Sequence, residues 1–137
     1  MKINNKVLEI LNKYDLDVRV EIPNNYKNLY TYLRDNPNDL HLYTSEKNDE
    51  YFLKKFMNYI PDGWYGFELG TLIFPCWVDA LDEILELCVS IDKDFQIHQI
   101  KMKYGGVRFY VESKIIEDIN DISFQISNKM FNSYLIY

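Results

Sequence analysis

The sequence has few of the residues from which metal centres and disulfide frameworks are built. It contains two histidines and two cysteines in 137 residues, without a Cys-x-x-Cys or His-x-x-x-His spacing. Cys76 and Cys88 fall in one predicted helix, roughly 18 Å apart along its axis, which exceeds the reach of a disulfide. We therefore expect no metal site and no cofactor, and we interpret both cysteines as buried apolar residues in a reducing compartment.

Signals for membrane insertion, secretion and catalysis are also missing. No run of about 18 apolar residues occurs, and the N-terminal residues lead into an amphipathic pattern instead of an apolar signal core. The sequence has no glycine-rich phosphate loop and no glycine elbow for a serine nucleophile. We expect a cytoplasmic protein that is not an enzyme and has no catalytic residues.

Basic residues are outnumbered by acidic ones, except in one stretch. The chain has 15 Lys and Arg against 21 Asp and Glu, a formal net charge of −6, which argues against general nucleic-acid binding. Between Phe95 and Val111 the balance reverses, because this stretch has no Asp or Glu and holds Lys101, Lys103 and Arg108. A basic island on an acidic protein indicates an anion-binding surface.

Hydrophobic periodicity predicts a single α+β domain over residues 1–137. An antiparallel sheet that includes a 95–113 hairpin is expected to pack against a central apolar helix at 75–91 and a C-terminal helix at 114–133. The helix at 75–91 is apolar apart from one acidic stripe. We interpret this stripe as a solvated face, or as acids that neutralise the basic hairpin. Its members are Asp79, Asp82, Glu83 and Glu86.

The N-terminal half is predicted to contain a small antiparallel meander between two helices. The segment 26–34 fits either a strand or a short helix, and its alternating leucines and tyrosines favour the strand. The predicted elements, in order, are a helix at 3–14, strands at 16–22, 26–34 and 40–44, and a helix at 51–60 capped by Asp49.

Gly105–Gly106 is predicted to form a two-residue hairpin turn of the primed type. The resulting register places Lys103 opposite Arg108 and Lys101 opposite Tyr110. Like charges directly opposite each other repel, and a bound anion or acids from elsewhere in the fold would relieve the repulsion. The alternative interpretation is that these basic residues provide solubility and block edge pairing.

The segment 63–127 resembles a family of small proteins from phages and prophages. Its members have a Gly-Trp element, an acidic amphipathic helix, a Lys-x-Lys-Phe/Tyr-Gly-Gly-Leu/Val-Arg-Phe-Tyr hairpin and a closing helix. The matching elements here are Gly63 with Trp64, and Lys101 through Tyr110. Relatives often continue into a Cys-x-x-Cys element that this chain lacks, so no metal role is carried over. The resemblance implies a phage-type accessory protein in the host cytoplasm and indicates no activity.

The basic hairpin leads us to predict that the protein binds and sequesters a small phosphorylated ligand. The resemblance to the phage family implies that it is an anti-defence protein and that the ligand is, for example, a nucleotide immune signal. The alternative is an acidic protein-binding inhibitor, of anti-CRISPR or immunity type, that engages a basic partner through its surface charge. The many tyrosines suit an oligomer or partner surface, and we expect a homo-oligomer. The predicted ligand-binding residues are Lys101, Lys103, Arg108 and Tyr110, with Trp64 or Tyr65 as a stacking wall.

Overall fold

The architecture is α+β, as predicted, and its main sheet is mixed. The structure is a computed structural model that describes residues 3–14, 20–70, 75–103, 106–131 and 134–136. The helices are α1 (Ile3–Lys13), α2 (Leu29–Asp35), α3 (Asp49–Lys55), α4 (Pro75–Ile91) and α5 (Ile116–Phe131), with 3₁₀ helices at Pro37–Leu42 and Met57–Tyr59. The strands are β1 (Val20–Ile22), β2 (Gly66–Glu68), β3 (Gln96–Lys103), β4 (Gly106–Glu112) and β5 (Tyr134–Ile136).

Helix α4 forms the centre of the core and has the predicted bounds. Trp77, Ile84 and Leu85 are among its fully buried side chains, and each such burial stabilises the fold by about 1.5–3 kcal/mol. Helices α1 and α5 contribute apolar residues at spacings of three and four, which keep them on one face. These residues are Ile3, Val7 and Leu11 of α1, and Ile119, Ile122 and Ile126 of α5.

The main sheet has the strand order β2-β3-β4. Strands β3 and β4 form the predicted antiparallel hairpin, but β2 runs parallel to β3. The expectation of an antiparallel sheet is therefore wrong. Helix α4 connects β2 to β3 and returns the chain to the same end of the sheet, which makes the two strands parallel.

Strand β1 does not belong to a meander. It pairs in parallel with β5 in a separate two-stranded sheet. The rest of the strand predicted at 16–22, residues 16–19, lies outside the described residues. The sequence did not predict β5 as a partner.

The segment 26–34 contains a helix, so the favoured strand is wrong. The Asn28 side chain accepts a hydrogen bond from the Thr31 backbone N–H at 2.9 Å and caps α2. Leu29 and Leu33, four residues apart, are both buried. The helical spacing of these leucines, and not the alternation, determines the local structure.

Residues 40–44 do not form the expected edge strand. The 3₁₀ helix that ends at Leu42 begins with Pro37 at its first turn, where a proline costs no hydrogen bond. The next stretch also differs from expectation, because the helix predicted at 51–60 ends at Lys55 and continues as a 3₁₀ turn.

Asn48 caps α3 in place of Asp49. Its side chain accepts from the Tyr51 N–H at 3.2 Å. The Asp49 carboxylate instead accepts from the backbone N–H of Leu69 at 2.7 Å and of Gly70 at 3.4 Å. Asp49 therefore ties α3 to the end of β2.

Cys88 is buried and Cys76 is half-buried. Within the residues described, no helix has both the length and the apolar character needed to cross a bilayer.

Candidate functional site

The basic hairpin has a register different from the predicted one. Arg108 lies opposite Lys101 and not opposite Lys103. Strand β4 begins at Gly106, which pairs with Lys103, so Gly106 is a strand residue and not part of the turn. Residues 104–105 lie outside the described part of the chain.

Apolar packing explains the observed register. Ile100 pairs with Phe109 on one side and with Phe67 of β2 on the other, and all three are buried. The predicted register would have placed Phe109 opposite Met102, which is only partly buried. The observed pairing produces one continuous apolar row across three strands.

The row that contains the basic pair crosses the opposite face of the sheet. Lys101 lies between Glu68 of β2 and Arg108 of β4. We call this side, which carries Glu68, Lys101 and Arg108, the outer face. Glu68 is an acid from outside the hairpin, of the kind expected to relieve the repulsion between the basic residues. Arg108 is exposed and forms no ion pair with a described residue, so the charge available to an anion is centred on it.

Tyr110 orients Lys101. The Lys101 Nζ lies 5.7 Å from the centroid of the Tyr110 ring, a cation–π contact of about 0.5–1 kcal/mol at an exposed site. One face of the phenol ring is therefore covered, although Tyr110 remains 45% exposed. The side chain of Lys103 lies outside what the structure describes.

Trp64 reaches the outer face through His98. The indole stacks on the imidazole with ring centroids 4.2 Å apart and planes 8° from parallel. Trp64 nevertheless stays 51% exposed, whereas Tyr65 is 67% exposed and stacks on no described ring. Of the two candidate stacking walls, Trp64 is the one attached to the sheet.

The sequence did not identify His98 as a site residue. Its side chain lies on β3 and is 17% exposed. An irregularity in the ladder between Ile97 and Gln99 leaves it without a direct cross-strand partner, as in a β-bulge. Its Nε2 lies 3.9 Å from Glu112 Oε1. The three-residue spacing of Ile97 and Ile100, both buried, is the sequence signal of the bulge.

The acidic stripe of α4 is neutralised, but not by the hairpin. Lysines from α1, α3 and the loop before α3 bind its carboxylates. Asp82 is not solvated as predicted, because it is only 5% exposed. The ion pairs are Lys13–Glu83, Lys47–Asp79, Lys47–Asp82, Lys55–Asp82 and Lys55–Glu86.

Asp82 is the centre of this cluster. Its carboxylate accepts hydrogen bonds from the Tyr51 hydroxyl at 2.6 Å and the Lys55 Nζ at 2.7 Å, and Lys47 Nζ lies 3.2 Å away. Burial alone would raise the pKa of Asp82, but the hydrogen bonds from Lys55, Tyr51 and Lys47 outweigh it and lower the pKa. The cluster joins α3 and the preceding loop to α4, which is a structural role.

A shallow cleft of about 450 Å³ lies at the end of the hairpin away from the turn. Asp92, one of its walls, accepts hydrogen bonds from Ser113 Oγ at 2.6 Å and from the N–H groups of Asp94 at 2.9 Å and Lys114 at 3.1 Å. The bond from Ser113 is the main cause that lowers the pKa of Asp92. The predicted ligand-binding side chains that the structure describes do not line this cleft.

Comparison of the chain with protein-family models, curated proteins and solved structures finds no match. The resemblance to the phage family therefore stays a prediction. Among the described residues, no group of three or more His, Cys, Asp or Glu side chains is placed to hold a metal ion. The proposed function is therefore based on the outer face.

Proposed function

We propose that the protein is a non-enzymatic anti-defence protein of phage type, which binds a small phosphorylated ligand, such as a nucleotide immune signal, and sequesters it. The observation that carries the proposal is the direct opposition of Lys101 and Arg108 on the outer face. Like charges held across a strand pair repel, and an anion between them relieves the repulsion. The guanidinium provides a planar fork for phosphate and the ammonium a mobile point charge.

Charge compensation within the protein is incomplete at this pair. Glu68 neighbours Lys101 on the side away from Arg108, so the row of three side chains keeps a net positive charge. An open sheet face excludes less water than a pocket does. A second copy of the chain placed over the face would exclude more water, which agrees with the homo-oligomer that we also propose.

The alternative function, an acidic protein-binding inhibitor, has less support. The acidic stripe is already paired with lysines of the same chain, and a basic partner would have to displace them. Charge reversal at Asp82 would disrupt a buried cluster before it affected a partner. Glu86, whose side chain is 56% exposed, is the better position for a test: Glu86→Lys should weaken capture of a basic partner, and Arg108→Ala should not.

Isothermal titration calorimetry of the full chain tests the proposal, with inorganic triphosphate, linear nucleotides and cyclic nucleotides as probes. Arg108→Ala should weaken binding by at least about tenfold, because a hydrogen bond between charged groups is lost. Arg34→Ala is the matched control, since it removes the same charge from an exposed side chain whose ion-pair partner is Asp35. It should leave the affinity unchanged.

Two results would count against this function. One is the absence of binding to every probe, and the other is an equal effect of Arg34→Ala and Arg108→Ala, which would indicate only a general charge effect. Mass spectrometry of ligand released by heat separates sequestration from catalysis. Sequestration predicts that the released ligand has an unchanged mass.

A further inference from the structure

The stack of Trp64 on His98 is a feature that phosphate binding alone does not require. The backbone N–H of Trp64 donates to the Pro61 carbonyl at 3.2 Å, and Gly63 in this turn has a φ of 89°. Gly66, with a φ of 74°, follows two residues later. The turn sets the path of the backbone at Trp64, and the stack on His98 sets the orientation of the indole.

The indole has one covered face and one free face. His98 lies parallel to the covered face, with the ring centroids 4.2 Å apart, and Trp64 as a whole remains 51% exposed. A large aromatic side chain that is held in one orientation and still half exposed offers a flat stacking surface. Because the orientation is already set, a planar ligand would order little additional structure on binding.

The distance between this surface and the basic pair restricts the ligand. His98 and Lys101 are three residues apart on β3, so their backbones are separated by at most about 10 Å at roughly 3.3 Å per residue. A ligand that engages both the indole and the basic pair must therefore carry its base and its phosphates at opposite ends, and a chain of phosphates reaches further from the base than the single ring phosphate of cyclic AMP.

We propose that the ligand is a nucleoside carrying two or more phosphates, bound in an extended form with its base on Trp64 and its terminal phosphates between Lys101 and Arg108. This inference rests on the proposed function and narrows it from any small phosphorylated ligand to one chemical class. Gln99 and Tyr110, which pair with each other between the two ends, would lie beneath the sugar. His98 acts as a positioning residue, because it touches the indole and not the base.

Calorimetric titration with ATP, GTP, cyclic AMP and inorganic triphosphate tests this binding mode. ATP or GTP should bind at least about tenfold more tightly than inorganic triphosphate, because a base stacked on an aromatic side chain adds affinity. Cyclic AMP should bind more weakly than ATP. Equal affinity for ATP and inorganic triphosphate would overturn the inference and leave the proposed function standing.

Trp64→Ala should lower the affinity for ATP to that for inorganic triphosphate, whose own affinity should not change. Tyr30→Ala is the matched control, because it removes an exposed aromatic ring of α2 that is not part of the outer face and should leave both affinities unaltered. Trp64→Phe keeps a smaller ring in place and should cause an intermediate loss. Thermal unfolding of each variant confirms that it is folded before its affinity is compared.

Comparison of His98→Phe with His98→Ala shows whether His98 acts by positioning the Trp64 indole with its ring or through its charge. His98→Phe keeps an aromatic ring beneath Trp64 and should retain the preference for ATP over inorganic triphosphate. His98→Ala removes the ring and should lose part of that preference. Equal affinity for cyclic AMP and ATP, or an equal effect of Tyr30→Ala and Trp64→Ala, overturns the binding mode. If neither inorganic triphosphate nor any nucleotide binds, the proposed function fails together with it.

Discussion

The hydroxyl of Tyr51 donates a 2.6 Å hydrogen bond to Asp82, and this bond joins α3 to α4. Lys47 and Lys55 also lie within ion-pair distance of the Asp82 carboxylate. A buried charge is thus surrounded by donors from two other segments. Removal of one member of such a cluster leaves its partners unpaired, which costs more than the contact itself contributes.

Asp82→Asn should lower the free energy of unfolding by about 3 kcal/mol at neutral pH, because Lys47 and Lys55 lose their shared, buried counter-charge. Urea denaturation followed by circular dichroism measures the loss. Asp79→Asn is the control: Asp79 is 44% exposed and pairs with Lys47, so its loss should cost less than about 1 kcal/mol. Equal losses for the two variants would contradict the central role of Asp82.

Acid should weaken the fold through the same carboxylate. The pKa of Asp82 is lowered in the folded protein, so the unfolded chain binds the proton first as the pH falls. The stability that the charged form confers is complete above the ordinary aspartate pKa of about 4, and it is lost as the pH falls through the lower, folded value. Urea denaturation between pH 6 and the acid range, on the order of pH 2, should show this decline. Asp82→Asn should show a smaller decline, and an identical pH dependence would exclude Asp82 as a cause.

Gly66→Ala should destabilise the protein by about 2–5 kcal/mol, the sum of strain and overpacking. Its φ of 74° disfavours a side chain, and an added Cβ would lie 2.7 Å from carbon atoms of both Leu53 and Ile60. Gly63→Ala provides the comparison, because φ is also positive there but no atom lies within 4 Å of the added Cβ. Gly63→Ala should lower the free energy of unfolding only by the backbone strain, about 1–2 kcal/mol. A loss at Gly63 as large as that at Gly66 would show that packing adds nothing.

Cys88 should resist thiol reagents as long as the protein is folded. It is 1% exposed, and burial raises the pKa of its thiol to about 12, which suppresses the reactive thiolate. Titration with a chromogenic disulfide near pH 8 should modify the half-buried Cys76 first, and Cys88 only when the chain unfolds. The variant Cys76→Ser should therefore show no reaction on the fast time scale. A rapid reaction in that variant would mean that the region around Cys88 opens readily.

The parts of the fold that follow from long, regular apolar patterns were predictable. Helix α4 has its predicted bounds, because its apolar residues surround one narrow polar stripe over several turns. Helix α2 has only seven residues, too few to distinguish helical from alternating spacing. The decisive feature there is the cap at Asn28, whose effect on Thr31 appears only in the three-dimensional structure.

The sequence was sufficient to predict which residues belong to the candidate site, but not how the fold arranges them. Lys101 and Arg108 were recognisable as a basic island, but their direct pairing was not. Both hairpin registers keep the same residues facing inward, so alternation cannot distinguish them. Glu68 and Trp64 reach the outer face through the parallel pairing of β2, a contact between segments that local sequence patterns do not encode.

The pairing of β1 with β5 brings together residues 20–22 and 134–136, which has a consequence for the order of folding. During synthesis, α4 and the hairpin can begin to associate before β5 has left the ribosome, but β1 has to wait for residues 134–136, far along the chain. Closing so long a loop costs entropy that local contacts do not, and distant pairings of this kind slow folding. We therefore expect this small sheet to form last, with the core and the outer face assembled before it.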